Sequence, residues 1–165
     1  MDILIKNATE EDYFDINKML LNLQQYHAEN APKTYKKVNT FFSINKYKKI
    51  ISNKKSYIMV ADINSKIIGM IWFQLKEKKS KFENKRLQIW IEGIYVKENS
   101  RRIGVGKKLL NKVIENAKAL DATSIELMVW SFNKTAEKTE KTMLNSMSFG
   151  EFFGVNVSND LSEVT

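Results

Sequence analysis

The 165-residue chain contains no cysteine, one histidine and one proline. Without cysteine there are no disulfides, thiol nucleophiles or thiolate zinc sites. His27 alone is little material for a Ser-His-Asp triad or a histidine-built metal site, so no metal is expected. Any chemistry falls to carboxylates, amines, hydroxyls and backbone amides. Long apolar runs are missing too. The most apolar stretch, Ile67 to Phe73, is far too short to span a bilayer, and the first twenty residues carry Asp2, Lys6, Glu10, Glu11 and Asp12. The expectation is a cytoplasmic protein with no membrane partner.

Basic charge, by contrast, is in excess. The formal net charge is +8, which favours anionic partners. The lysines are spread over Lys33 to Lys55 and Lys76 to Lys108 rather than gathered on one helix face, as a solvated surface also requires. At 43% apolar content the length suits a single domain over residues 1–165 with an ordinary core. No linker, repeat or low-complexity tract divides it.

Periodicity orders the chain. Ile3-Leu4-Ile5 reads as an opening strand. Thr9 caps a helix, Asp12 serves as its capping-box partner, and Ile16, Leu20 and Leu23 form the buried face. That helix is expected to end near Tyr26-His27, with a loop to Thr40 and a second short helix over Ser43 to Ser52. Tyr57 to Ile63 and Lys66 to Leu75 read as strands joined at Asn64-Ser65. A polar connection, Lys76 to Arg86, leads to the apolar strand Ile89 to Val96, whose character suggests burial on both faces. A helix over Gly104 to Leu120 follows, with Leu109, Val113, Ala117 and Leu120 as its stripe, widened by Leu110 and Ile114. Ser124 to Trp130 reads as a strand. Ala136, Thr139, Met143 and Met147 keep a helical period, and Phe152 to Val157 reads as a last strand. Strand–helix–strand from Ile89 to Trp130 implies a right-handed crossover and a mixed α/β class.

The informative stretch is Ile89 to Leu110, IWIEGIYVKENSRRIGVGKKLL. A strand, a basic loop, a glycine turn and a helix start together make a place for an anion, because helix-start N–H groups lack partners within the helix. A Walker loop is excluded, since Gly106-Lys107 is followed by Lys108 and Arg101 stands where the first glycine belongs. A dinucleotide fingerprint is excluded too, because Leu109 occupies the third glycine position.

What remains is Arg101-x-x-Gly104-x-Gly106, which matches the [Gln/Arg]-x-x-Gly-x-[Gly/Ala] signature of the GNAT superfamily of N-acetyltransferases. The chain resembles that family along most of its length, and IWIEGIYV resembles its diamine-acetyltransferase type. The resemblance implies a GNAT acyl-CoA N-acyltransferase fold, with a mixed sheet of about six to seven strands and about four helices. It implies acetyl transfer from acetyl-CoA to a primary amine of a small molecule or peptide, in a ternary complex. Dimers are frequent in the family, so a homodimer is an expectation.

The resemblance also distributes roles. Arg101, Arg102, Ile103, Gly104, Val105, Gly106, Lys107 and Lys108 would hold the coenzyme's phosphates, the glycines letting backbone approach without a Cβ in the way. Ile94, Tyr95 and Val96 would pair with pantetheine, and one of their amides would stabilise the developing oxyanion. Asn133 matches an asparagine that contacts the pantetheine arm, or else caps the helix beginning at Lys134. Glu92, a lone carboxylate in an apolar strand, is costly there unless used or paired. It matches the family's strand glutamate that acts as base, and burial would raise its pKa toward a useful range. The alternative role is an ion pair with Arg86, Arg101 or a lysine.

Departure from the family comes at the tyrosine that protonates the leaving thiolate. Counting from Asn133 its position holds Glu140; counting back from Ser148-Phe149 it holds Leu144. Glu140, if protonated, or Tyr95 is left to take that role; otherwise the thiolate leaves unassisted, as a thiol's acidity allows. Tyr26, His27 and Glu29, beside the first long loop, are the acceptor-site candidates. Two rival readings stay open: a GNAT-fold protein that binds acyl-CoA without turnover, and a nucleic-acid-binding module. Only charge supports the latter, with no helix-turn-helix, zinc module or aromatic-interleaved basic strip, so no nucleic-acid partner is expected.

Overall fold

A computed structural model describes residues 2–130, 133 and 153–158. Six strands form one sheet in the order of their sequence: β1 (Leu4–Asn7), β2 (Ser56–Ile63), β3 (Lys66–Lys78), β4 (Arg86–Val96), β5 (Ser124–Trp130) and β6 (Phe153–Ser158). The pairings β1–β2, β2–β3 and β3–β4 are antiparallel, and β4–β5 and β5–β6 are parallel. Among the described residues three α-helices accompany the sheet: α1 (Tyr13–Asn30), α2 (Ile44–Ile51) and α3 (Val105–Ala119). The helix expected over 136–147 lies outside the described residues. The architecture is the α/β sheet with flanking helices that the GNAT resemblance implies.

Period-two alternation in the central strands serves two cores at once. Met59 and Ala61 of β2, Ile71 and Phe73 of β3, and Ile89 and Ile91 of β4 face α3, meeting Val105, Leu109, Leu110, Val113 and Ala117. The opposite residues Ile58, Val60, Ile67 and Met70 meet Ile16, Met19 and Leu20 of α1 and Tyr47 and Ile50 of α2. The sheet is therefore a filled middle layer. Leu120, expected in the α3 stripe, is instead an exposed C-cap residue.

Local chemistry sets the boundaries. The Thr9 N–H donates to Asp12 Oδ2 at 2.7 Å, closing a 3-10 turn (Glu10–Asp12) from which α1 starts. The helix does not stop at Tyr26-His27 as expected but runs to Asn30, because the first true obstacle is Pro32, which disfavours helical backbone at Ala31. Ser43 caps α2 by accepting from the Lys46 N–H. Asn64 and Ser65 join β2 to β3 with φ of 50° and 63°, the left-handed pair of a two-residue hairpin turn. The polar connection is shorter than expected: Lys76, Glu77 and Lys78 pair with Gln88, Leu87 and Arg86, so β3 and β4 form a long ribbon. Among the described residues no helix is long and apolar enough to cross a membrane.

Candidate active site

β4 changes character halfway along. Gln88, Ile89, Trp90 and Ile91 pair with Ser124, Ile125, Glu126 and Leu127, and there the pairing stops, although both strands continue. From Glu92 to Val96 the edge facing away from β3 has no strand partner among the described residues. On the β3 side the register shifts at the same point: Phe73 pairs with Ile91 and Trp72 with Gly93, leaving Glu92 as the extra residue of a bulge. Bulges twist a strand and re-aim side chains. The expectation of burial on both faces therefore holds for Ile89 and Ile91 but not for residues 92–96, which are half-buried or exposed.

The side chains of the open half divide between the two faces. Ile94 and Val96 pack against the α3 core, while Tyr95 packs against the α1–α2 core. Tyr95 Oη accepts from Asn22 Nδ2 of α1 at 3.3 Å. A Cβ on Gly93 would stand 3.4 Å from Leu23 and 3.7 Å from Leu20, so α1 lies directly over it. Asp15 pairs with Lys97 at 2.9 Å. Those contacts fix α1 antiparallel to β4. One further helical turn, about 5 Å, carries Tyr26 and His27 toward the level of Glu92 and Trp90.

Glu92 is not the deeply buried carboxylate expected from the apolar strand. Its side chain keeps about a quarter of its exposure, with Lys76 Nζ 3.9 Å away. That ammonium also lies 4.6 Å from the centroid of the Trp90 ring. The ion pair foreseen as the alternative is present, and its partner is a lysine of β3.

After β4, a 3-10 turn (Glu98–Ser100) leads to the glycine segment. Arg101 Nε donates to the Val96 carbonyl at 3.0 Å, tying the loop to the end of the strand. Arg102 and Gly104 take φ of 68° and 87°. Gly104 is the N-cap of α3, a left-handed position that glycine occupies without a Cβ penalty. The first bond of the helix runs from the Lys108 N–H to the Gly104 carbonyl at 3.0 Å. The N–H groups of Val105, Gly106 and Lys107 thus precede the first intrahelical bond, and no side chain caps them. A Cβ built on Gly104 or Gly106 would meet nothing within 4 Å, so open space faces this turn. At Gly69, on β3, a Cβ would stand 3.0 Å from the Tyr95 carbonyl and 3.1 Å from Val105. That small residue seats the start of α3 against the end of β4.

Lys108 turns away from the loop. Its Nζ reaches the Ile3 carbonyl at 3.5 Å and Asp2 at 3.9 Å. Ile103 is exposed beside the turn. Asn133, beyond β5, is half-buried.

At the far end of α1, His27 stacks on Tyr35 with centroids 5.0 Å apart, and Tyr26 lies 6.2 Å from His27. Burial lowers the pKa of His27 below its ordinary value, favouring neutral imidazole. Glu29 points outward, 3.9 Å from Lys37. The loop after α1 is strapped down: Gln24 Nε2 donates to the Lys36 carbonyl at 3.0 Å, and Asn17 Oδ1 accepts from the Phe41 and Phe42 N–H groups. Sequence reasoning missed Asn22, Lys76 and Trp90. Trp90 was within reach, two residues before Glu92 on a strand, but Lys76 becomes a neighbour only through the β3–β4 register.

The "Acetyltransferase (GNAT) family" model matches residues 20–139. The chain belongs to the GNAT acetyltransferase family. Among solved structures it is similar to a tetramutant of the BH1408 protein from Bacillus halodurans, with 20% identity, a TM-score of 0.80, and coverage of 90% of this chain and 96% of that one. An aminoglycoside acetyltransferase from an uncultured soil metagenomic sample, in complex with sisomicin, superposes at a TM-score of 0.65 with 16% identity, over 91% and 92% of the two chains. A possible acetyltransferase from Clostridium difficile 630 gives a TM-score of 0.65 with 20% identity, over 91% and 93%. At such identities the likeness is one of fold. Family membership makes acetyl transfer the class of chemistry for this GNAT protein.

Proposed function

We propose that this GNAT protein moves an acetyl group from acetyl-CoA to a primary amine of a small molecule or peptide, by direct attack within a ternary complex. The observation that carries the reading is the release of β4 from β5 after Ile91, next to an uncapped helix start. The residues present fit coenzyme A. Open space faces Gly104 and Gly106, the N–H groups of residues 105–107 offer donors, and the open edge of β4 offers backbone partners at Ile94 to Val96. Coenzyme A, when bound, supplies the acetyl thioester and the phosphates. Arg101 and Arg102 add positive charge at the turn, with Ile103 and Lys107 completing it. Lys108 contributes through its helix position rather than its ammonium, which is held by Asp2 and Ile3 just before β1.

Glu92 has the geometry of a proton acceptor: a partly exposed carboxylate at a bulge where the strand opens. It removes the proton that keeps an acceptor amine from attacking. Tyr95, whose hydroxyl stands on the α1 face beside Asn22, is the candidate donor of a proton to the departing thiolate. Tyr26 and His27 border the acceptor side, where neutral His27 accepts or donates a hydrogen bond, and Glu29 contributes negative charge at the rim.

Thiol release from acetyl-CoA over a panel of amines, amino acids, aminoglycosides and N-terminal peptides tests the reading. At least one acceptor should give release that depends on Glu92. Stabilisation by acetyl-CoA with no release across the panel would instead establish a binding protein without turnover.

A further inference from the structure

Lys76 carries an ammonium group to the place where an acceptor amine has to be deprotonated. Its backbone belongs to β3, paired with Gln88, four residues before Glu92 on the neighbouring strand. The side chain runs along the ribbon so that Nζ stands 3.9 Å from Glu92 Oε1 and 4.6 Å from the Trp90 ring centroid. A carboxylate and an aromatic face are the two groups that hold a cationic amine. Other lysine pairs lie elsewhere: Lys6 with Asp62, Lys48 with Glu10, Lys97 with Asp15, Lys112 with Glu115. Among the described ion pairs, that of Lys76 is the one whose carboxylate belongs to the unpaired half of β4.

We infer that Lys76 is an internal acceptor, acetylated by its own chain. The step rests on the function proposed above, with acetyl-CoA as the acyl donor. Glu92 takes one proton from the Lys76 ammonium, leaving a neutral amine. The Nζ lone pair forms the amide C–N bond while the C–S bond of the thioester breaks, its electron pair leaving on sulfur. The second proton lost from Nζ ends on that thiolate, and Glu92 returns the first to solvent. The products are acetyl-lysine, the free thiol of coenzyme A and one proton. Acetylation removes the charge that holds Glu92, so the modified protein presents this carboxylate to external amines without a competing ammonium.

Peptide mass spectrometry of the full chain incubated with acetyl-CoA tests the inference, alongside thermal melts with acetyl-CoA and thiol release with external amines. Lys76 should acquire the acetyl mass at least ten-fold faster than exposed Lys54 or Lys79, at a rate independent of protein concentration. Glu92→Gln should bring Lys76 down to the level of those lysines, and Lys76→Arg should abolish the label while retaining stabilisation by acetyl-CoA. Labelling of Lys76 no faster than of Lys54, or undiminished in Glu92→Gln, overturns the inference. When acetyl-CoA stabilises the protein and external amines are acetylated but Lys76 is not, only this inference fails. When neither stabilisation nor release occurs, the proposed function fails with it.

Discussion

The two halves of β4 are made of similar residues and do opposite things. Gln88 to Ile91 are held by β3 on one side and β5 on the other, and Ile89 is fully buried. Glu92 to Val96 keep only the β3 partner, and the bulge at Glu92 marks the change. Composition does not separate the halves, since IWI and IYV are equally apolar. What separates them is whether the neighbouring strand stays in register. A strand with one unmet edge is a liability in most folds; beside an uncapped helix start it is the place the proposed function assigns to coenzyme A.

The contrast predicts that substitutions in the open half cost activity and those in the closed half cost stability. The largest effect is expected for Glu92→Gln, which should lower amine-dependent thiol release by about 10²- to 10⁴-fold, the usual contribution of a positioned proton acceptor. Its melting curve should change little, because the side chain is partly exposed and its lysine partner is solvated. Ile89→Ala should do the reverse in urea unfolding, destabilising by about 2–5 kcal/mol through loss of a fully buried side chain. Ile94→Ala, half-buried in the open half, should cost less than that.

Gly69→Ala acts where the open half of β4 meets α3. The added methyl would press on the Tyr95 carbonyl at 3.0 Å and on Val105 at 3.1 Å, with an overpacking cost of about 1–3 kcal/mol. Because it shifts the start of α3 against the end of β4, affinity for acetyl-CoA, read by titration, should fall as well.

The smallest effect serves as a control away from β4. Asp62 and Lys6 pair at 2.7 Å between β2 and β1. The hydrogen bond from Lys6 holds the Asp62 carboxyl below its ordinary range, and that bond from the other side raises Lys6. A carboxyl depressed in the folded state adds stability above its unfolded pKa, near 4, that is lost as pH falls through the lower folded value. A raised lysine adds stability below its unfolded pKa, near 10.4, that is lost as pH rises through the folded one. Asp62→Asn should therefore lower the melting temperature at neutral pH, and the gap from the parent protein should narrow below about pH 4. Its response to acetyl-CoA should stay as in the parent.

Much of this was legible in the sequence, and the reasons differ from residue to residue. Gly104 announces a turn because few other residues tolerate a left-handed N-cap, and Asn64-Ser65 announce a hairpin for a related reason. The stripe of α3 follows from its period. Less legible were features that depend on long-range pairing. α1 outlasts its expected end by a turn because only Pro32 stops it. Lys76 to Lys78 look like a connection until Arg86 to Gln88 pair with them. Glu92 looked buried because its neighbours are apolar, yet the bulge leaves its side chain partly exposed and the β3–β4 register brings Lys76 to it. Lys108 sits in the right motif, but its head group reaches Asp2 and the Ile3 carbonyl ahead of β1.

Backbone hydrogen exchange with and without acetyl-CoA reads the central claim residue by residue. The account predicts slow exchange at Ile89 and Ile91 in both states, and new protection on binding at amides of residues 93–96 and 105–107. Protection that leaves both of these segments unchanged, or that arises only elsewhere in the chain, would contradict it.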